Sequence, residues 1–421
     1  MMRCQMPMSM LDSKGLWTFN SGRSFSGIRC GRLAIILIVC WVLVLSGCAT
    51  TDESAPTPSA LAANVPASKQ KINWQAQYPV DKLSVQALGS PLAPAKSDGR
   101  VLVTPTNAGV RVIDSARGRT LRDETLSGAD KTPMHIVSVG MRGDDVYLAS
   151  LEGDVIALSV ADGEERWRQD LAGEVLSQPA ISDSEIVYHT GDGRLVCLDR
   201  ATGKNLWVFR ETLPSLTLRG TSAPVISGDR VVAGFADGHL LALDLATGAV
   251  DWDTVVGEPK GHSALSRMTD IDAGLLIVDD LVYATAYQGR TVAVSLSSGR
   301  IVWSRDLATY TGMSIWGDRL FMSGPDGEVW ALDRNTGEIL WRQDALMYRR
   351  LSAPIAFDSG IYVIDFEGYM HRISGRDGHL MARRKVASES DLTSLLMRIS
   401  DHLLVADSEG RLWLLDQGGA E

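Results

Sequence analysis

The 421-residue sequence lacks several features that would place it in common classes of protein. It has no extended basic run, and its net charge is −10, which argues against nucleic acid as a partner. Its seven histidines are scattered along the chain without the spacing of metal ligands, so we predict no metal site. No Ser-His-Asp or paired-carboxylate arrangement can be read from it either. The usual signs of a catalytic centre are therefore missing.

Long apolar runs are also scarce, and the one clear example lies near the N-terminus. The run from Leu33 to Leu45 follows Arg32 and precedes Leu-Ser-Gly-Cys, which ends at Cys48. It is shorter than the roughly 20 residues of a comfortable membrane span, and the order is typical of a lipoprotein signal peptide. We predict a signal peptide over 1–47 and a diacylglycerol on the Cys48 thiol. A transmembrane anchor extended through Trp41 is the alternative.

Cysteine is rare in the rest of the chain. If Cys48 carries lipid, Cys197 is the only other cysteine beyond the signal peptide, so no intramolecular disulfide is expected. Cys197 stands where other repeats have alanine, which predicts a small core residue. Residues 48–70 are rich in proline, alanine and serine, and they are expected to form a flexible tether.

What the sequence has in abundance is repetition. Three stretches share sixteen residues of one pattern: DGRLVCLDRATGKNLW from Asp192, DGHLLALDLATGAVDW from Asp237 and DGEVWALDRNTGEILW from Asp326. Five further copies, three of them weaker, begin at Asn107, Glu152, Gln288, Glu367 and Glu409. A period near 40 residues is typical of one four-stranded blade of a propeller. We predict an all-β, eight-bladed β-propeller over 71–421.

The chemistry inside one copy agrees with this prediction. Asp-Gly and Thr-Gly favour tight turns, and the apolar residues between them suit a strand buried between neighbouring sheets. A further pair of strands precedes each motif, as in Ser222 to Phe235. The closing tryptophan has a large apolar body and one N–H donor, so we expect it to pin one blade to the next. The alternative is an aromatic platform for a ligand.

The last copy stops after Asp416, before its fourth strand and its tryptophan. Near the other end, Lys71 to Tyr78 resembles that missing strand and carries Trp74. Because a closed ring leaves no unpaired sheet edge at its joint, we predict that this N-terminal strand completes the eighth blade.

The core Ala-Leu-Asp-x-x-Thr-Gly-x-x-x-Trp resembles the repeat of pyrroloquinoline-quinone-type propellers. With eight copies and the Leu-Ser-Gly-Cys signal, the chain resembles the BamB family of outer-membrane protein assembly factors. The residue that follows Cys48 is Ala49 and not aspartate, and in this the chain resembles bacterial lipoproteins that are sorted to the outer membrane. The resemblance implies a cofactor-free, non-catalytic scaffold, lipid-anchored to the outer membrane and facing the periplasm. It also implies that the chain belongs to a multi-subunit complex, which inserts β-barrel proteins into the outer membrane. Within that complex the chain is expected to bind a POTRA domain of the BamA subunit.

Two inserted stretches resemble the family's partner-binding segments. They are Leu213 to Pro224 and Gly261 to Gly274, and insertions in propellers usually carry binding. The resemblance implies partner contacts by Leu216, Leu218, Arg219, Asp270 and Asp272. From the residues alone, the leucines also fit an ordinary buried strand, Arg219 fits a turn cap, and the two aspartates fit turn formers.

Two other classes of function remain as alternatives. A quinone-dependent dehydrogenase of this repeat type typically adds calcium ligands, a catalytic aspartate, often an adjacent Cys-Cys pair, and a much longer chain. A ligand-binding periplasmic propeller needs an aromatic-lined pore, whereas this chain places its tryptophans in the repeat, apart from Trp316, Trp330 and Trp413.

Overall fold

The structure is a computed structural model, and it describes residues 56–77, 95–97, 101–106, 109–128, 131–217, 221–258, 267–287, 289–309, 311–387, 395–399, 401–407 and 410–416. The predicted signal peptide, Cys48, Leu218 and Arg219 lie outside the described residues. Among the described residues, none belongs to a helix that is long and apolar enough to cross a membrane.

The described strands form eight four-stranded sheets. Seven of them are built from four consecutive strands. The first four blades contain β2 (Ala95–Ser97), β3 (Val101–Thr106), β4 (Gly109–Asp114) and β5 (Arg119–Thr125); β6 (Ile136–Arg142), β7 (Asp145–Ser150), β8 (Asp154–Ser159) and β9 (Glu165–Asp170); β10 (Ala180–Ile181), β11 (Glu185–His189), β12 (Arg194–Asp199) and β13 (Asn205–Arg210); β14 (Val225–Ser227), β15 (Arg230–Gly234), β16 (His239–Asp244) and β17 (Val250–Val255).

Blades five to seven repeat the same order, and blade eight takes its fourth strand from the N-terminus. They contain β18 (Leu276–Val278), β19 (Leu281–Thr285), β20 (Thr291–Ser295) and β21 (Ile301–Arg305); β22 (Met313–Trp316), β23 (Arg319–Ser323), β24 (Val329–Asp333) and β25 (Ile339–Gln343); β26 (Ile355–Phe357), β27 (Gly360–Ile364), β28 (Tyr369–Ser374) and β29 (Leu380–Lys385); β30 (Leu395–Ile399), β31 (His402–Ala406), β32 (Arg411–Asp416) and β1 (Ile72–Gln77). The predicted eight-bladed propeller is confirmed.

The core lies between neighbouring blades. The third strand of a blade is buried along most of its length, as in β16, whereas the outermost strand β17 alternates between exposed and buried residues. This follows from the sheet order, because the middle strands have a neighbouring blade on each face. Cys197 lies in such a strand and is fully buried, and burial raises the pKa of its thiol to about 12. The expectation of a small core residue is confirmed.

The repeated tryptophans join each blade to the next. Each indole Nε1 donates a hydrogen bond to a backbone carbonyl in the next blade's turn between its third and fourth strands. The pairs are Trp167 to Arg200, Trp207 to Leu245, Trp252 to Leu296, Trp303 to Arg334 and Trp341 to Gly375, at 2.8–3.3 Å. Their predicted role between blades is confirmed.

The ring closes as predicted. Trp74 in β1 pairs with Leu414 in β32, and its Nε1 donates to the Ser115 carbonyl of blade one at 2.8 Å. Its ring packs on Gly118, whose φ is +64° and where an added Cβ would lie 2.3 Å from the indole. Trp74 therefore occupies the eighth tryptophan position, and glycine is required opposite it.

Two joints have no tryptophan at the repeat position. In blade one the position holds Arg122, whose guanidinium donates to the carbonyls of Val160 and Ala161 at 2.7 and 3.0 Å. In blade seven it holds Ala382. There the buried Gln70, which precedes β1, donates through Nε2 to Tyr362 Oη at 3.3 Å and to the Asp416 carbonyl at 3.2 Å.

The segment Pro56 to Gln70, the N-terminal strap, corrects one prediction. The sequence predicts a flexible tether up to Gln70, but this part of it contacts blade seven. Ala67 forms a parallel bridge with Arg383 in β29, and Ser59 N–H donates to the Met347 carbonyl at 3.0 Å. The composition of the strap could not predict these contacts, because they are made by backbone atoms.

The loop before blade seven holds the strap through one buried cation. Arg349 is 2% exposed, and its Nη1 donates to the Ser59 carbonyl at 3.0 Å. Its Nε donates to Asp365 at 2.7 Å, and its Nη2 pairs with Glu367. Because a buried charge needs such partners, Arg349 fixes the position of the strap.

Candidate partner-binding site

The two inserted segments predicted to bind a partner lie on one face of the ring. Residues 211–224 connect β13 to β14, and residues 256–275 connect β17 to β18. The strands of every blade alternate in direction, so all connections from an outermost strand to the next blade lie on the same face. We call this the loop face; the turns that receive the tryptophan hydrogen bonds lie on the opposite face.

Leu216 is exposed on the loop face. The described residues 211–217 contain no strand, and Leu216 is 43% exposed. The interpretation of this leucine as part of an ordinary buried strand is therefore wrong. An exposed leucine outside the strands is available to a partner.

The two aspartates differ from each other in exposure. Asp270 is 1% exposed, and its backbone carbonyl accepts a hydrogen bond from Tyr287 N–H at 2.8 Å. Ile271 N–H donates to the Phe235 carbonyl at 3.2 Å, so this stretch is fixed to blades four and five. Asp272 is partly exposed. A partner at the surface would therefore reach Asp272, whereas the side chain of Asp270 is buried, contrary to the expectation of a direct contact.

Asp272 lines a cleft between blades three and four. Other residues of its lining are His189, Leu213, Thr217, Thr221 and Phe235. Burial, and then the neighbouring charge of Asp270, raises the pKa of Asp272 to about 7. An ordinary aspartate is ionised at neutral pH, whereas this one is close to half protonated there.

His189 contributes a second polar group to the same cleft. It is 3% exposed, its ring lies 5.0 Å from that of Phe235, and its Nδ1 is 3.0 Å from the Ser222 carbonyl. Burial lowers its pKa to about 4, so the imidazole is neutral near pH 7. The sequence offered no signal for His189, because Asp272, which lines the same cleft, lies more than 80 positions away in the chain.

The other described histidines have local partners. All five lie 2.7–3.2 Å from a carboxylate: His135 from Glu152, His239 from Asp253, His371 from Asp365, His379 from Asp377, and His402 from Asp416. Over the ranges that the structure describes, no three histidine, cysteine, aspartate or glutamate side chains gather as a potential metal site.

Comparison with known proteins identifies relatives along most of the chain. The family model described as outer membrane protein assembly factor BamB matches residues 107–343. The protein of that name from Bordetella pertussis is 31% identical over 387 residues, which cover 91% of this chain and 96% of the relative. Among solved structures, BamB from Moraxella catarrhalis superposes with a TM-score of 0.72 at 24% identity, covering 82% of this chain and 99% of that one.

Enzymes share the same fold. Quinohemoprotein alcohol dehydrogenase from Comamonas testosteroni superposes with a TM-score of 0.62, covering 84% of this chain and 77% of that one, at 10% identity. A likeness at this identity shows the fold alone.

Proposed function

This chain belongs to the family of outer-membrane protein assembly factors BamB, and from that premise we propose that its loop face binds a POTRA domain of a BamA-type subunit. In this role the ring is a non-catalytic scaffold that holds one inserted segment between blades three and four and the other between blades four and five, on the same face. The observation that carries the proposal is the exposed Leu216 beside a cleft that contains the partly exposed Asp272.

The placement of these residues suits recognition better than stability. Both segments lie outside the repeated strands, where loops on a rigid scaffold commonly bind partners. Burying an exposed leucine side chain against a partner contributes about 1.5–3 kcal/mol. A carboxyl in a partly desolvated cleft adds selectivity for a complementary charge.

We further propose that the protein is held at the periplasmic face of the outer membrane by lipid on Cys48. The support is the apolar run from Leu33 to Leu45 and the Leu-Ser-Gly-Cys that follows it. Mass spectrometry of the mature protein should find an acylated N-terminal Cys48. In a Cys48→Ala variant the precursor should accumulate unprocessed; a mature wild-type chain with an unmodified Cys48 would refute the anchor.

The dehydrogenase alternative is supported only by the shared fold, and no observation on the described residues favours it. We propose that the protein works without a cofactor. The ligand-binding alternative likewise has no specific observation in its favour.

Copurification of the full chain with the BamA-type subunit tests the partner proposal. Arg219→Glu reverses a charge in the segment 211–224 and should abolish copurification while the circular dichroism spectrum is unchanged. The matched control is Arg300→Glu, an exposed arginine in the turn before β21, on the opposite face, which should copurify normally. If the folded Arg219→Glu variant copurifies at the wild-type level, the interface lies elsewhere on the ring.

A further inference from the structure

Two hydrogen-bond acceptors, His189 Nε2 and the Asp272 carboxylate, lie in the cleft between blades three and four. The carbonyl of Ser222 can only accept, so the His189 nitrogen beside it, Nδ1, must carry the proton. In a neutral imidazole the other nitrogen, Nε2, is then an acceptor. Among the described residues Nε2 has no hydrogen-bond partner, although the side chain is almost completely buried. Because His189 lines the cleft, Nε2 can accept a hydrogen bond from a donor that enters it.

Asp272 supplies the second acceptor. Its carboxyl lines the same cleft and forms no hydrogen bond or ion pair within the part of the chain that the structure describes. Thr221 Oγ1, also in the lining, is buried and has no partner among those residues. Leu213 and Phe235 form apolar walls beside these groups. The cleft thus combines apolar walls with two acceptors, His189 Nε2 and the Asp272 carboxylate, and with the Thr221 hydroxyl, which can donate or accept.

Arg194, a described cation beside the cleft, is already paired with other groups. Arg194 in β12 donates to Asp192 at 2.7 Å and to the carbonyls of Leu171 and Ala172 at 2.9 and 3.1 Å. The turns and connections that line the cleft are described over 190–193, 211–217, 221–224, 235–238, 256–258 and 267–275. Their charged residues are Asp192, Glu211, Asp237, Glu258, Asp270 and Asp272, with Arg267 as the one guanidinium in these described ranges. Among these described residues, carboxylates outnumber guanidinium groups, so the local charge favours binding of a cationic side chain.

We propose that this cleft receives a lysine or arginine side chain of the assembly partner, with His189 Nε2 and the Asp272 carboxylate as its acceptors. The inference rests on the proposed function and names the chemistry that the partner must present. The alkyl stem of the inserted side chain lies between Leu213 and Phe235, and its charged end meets the acceptors, as long cationic side chains do when partly buried.

The proposal predicts that binding depends on pH. A cation pairs with ionised Asp272, so binding weakens as the carboxyl becomes protonated. With the pKa of Asp272 at about 7, the ionised fraction falls about tenfold between pH 8 and pH 6, and affinity should fall by the same factor. His189 remains neutral over this range because its pKa is lowered to about 4.

The test measures affinity of the full chain for the isolated periplasmic region of the BamA-type subunit at pH 8 and pH 6. For wild type we expect about tenfold weaker binding at pH 6. Asp272→Asn should bind at least about tenfold more weakly at pH 8 and should lose this pH dependence. The matched control is Asp318→Asn, an exposed aspartate in the turn between β22 and β23, which should behave as wild type.

The outcomes separate this inference from the proposed function. Suppose that wild type binds at both pH values and that Asp272→Asn keeps the wild-type affinity and pH dependence. The pairing of a partner lysine or arginine with Asp272 is then refuted, whereas binding of the partner stands. If folded wild type binds at neither pH, the proposed partner itself is wrong. A photoreactive side chain at Thr217 that crosslinks beside a lysine or arginine of the partner would support the inference directly, whereas crosslinking only to acidic or apolar stretches would contradict it.

Discussion

The joint between blades three and four is built differently at its two ends. Toward the opposite face, Trp207 Nε1 donates to the Leu245 carbonyl at 2.8 Å, and the indole packs on Gly248. At the loop face, the same two blades border a cleft in which His189 Nε2 and the Asp272 carboxyl have no hydrogen-bond partner among the described residues. The tryptophan end repeats around the ring, whereas the cleft end does not. Repeated residues therefore stabilise the ring, and residues outside the repeat are available for recognition.

The two ends should also differ in the sign of their contribution to stability. A buried indole with a satisfied N–H stabilises the folded ring. A carboxyl whose pKa is raised by burial destabilises it wherever the unfolded chain would be ionised. Functional sites commonly retain such unfavourable groups.

The largest expected effect lies at the tryptophan end. Trp74→Ala removes a side chain that is 8% exposed from the joint that closes the ring, and it should lower the free energy of unfolding by about 3–5 kcal/mol. Trp316→Ala is the control, because Trp316 is 46% exposed and lies outside the repeated position. Denaturant unfolding of both variants tests the difference; equal losses would mean that Trp74 does not close the ring.

The next effect has the opposite sign and lies at the cleft end. The pKa of Asp272 is raised to about 7, so stability falls as pH rises from the unfolded pKa of about 4 to 7 and stays low above it. Asp272→Asn should therefore stabilise the protein by on the order of 2–4 kcal/mol at pH 8 and have little effect near pH 4. Thermal melts at both pH values measure this. A variant less stable than wild type at pH 8 would contradict the assignment.

The N-terminal strap should have a smaller effect, confined to blade seven. Deleting 56–68 removes a few hydrogen bonds, including Arg383 N–H to Pro66 at 2.9 Å, and should cost about 1–3 kcal/mol. Hydrogen exchange should accelerate at the Arg383 amide but remain unchanged at Arg305 in β21. Unchanged protection of Arg383 would show that the strap does not bind there in solution.

The fold could be predicted from the sequence because each blade repeats its turns and its tryptophan. Ring closure by Trp74 could also be predicted, since one strand was missing at one end and present at the other. The strap could not, because it binds mainly through backbone atoms and the buried Arg349. The cleft could be predicted only in part: Asp272 belongs to a segment that resembles the family's partner-binding segments, whereas nothing in the sequence singles out His189 in β11.

The central claim is that the partner binds at the loop face and not at the outermost strands of the blades, such as β13. Leu216 on the loop face and Leu206 in β13 of the same blade are 43% and 49% exposed. Changing either leucine to aspartate should alter stability by no more than about 0.5 kcal/mol, as is usual at exposed positions. The deciding measurement is the affinity of each folded variant for the periplasmic region of the BamA-type subunit. We predict that Leu216→Asp binds at least about tenfold more weakly than wild type while Leu206→Asp binds normally; equal affinities for the two variants would contradict the account.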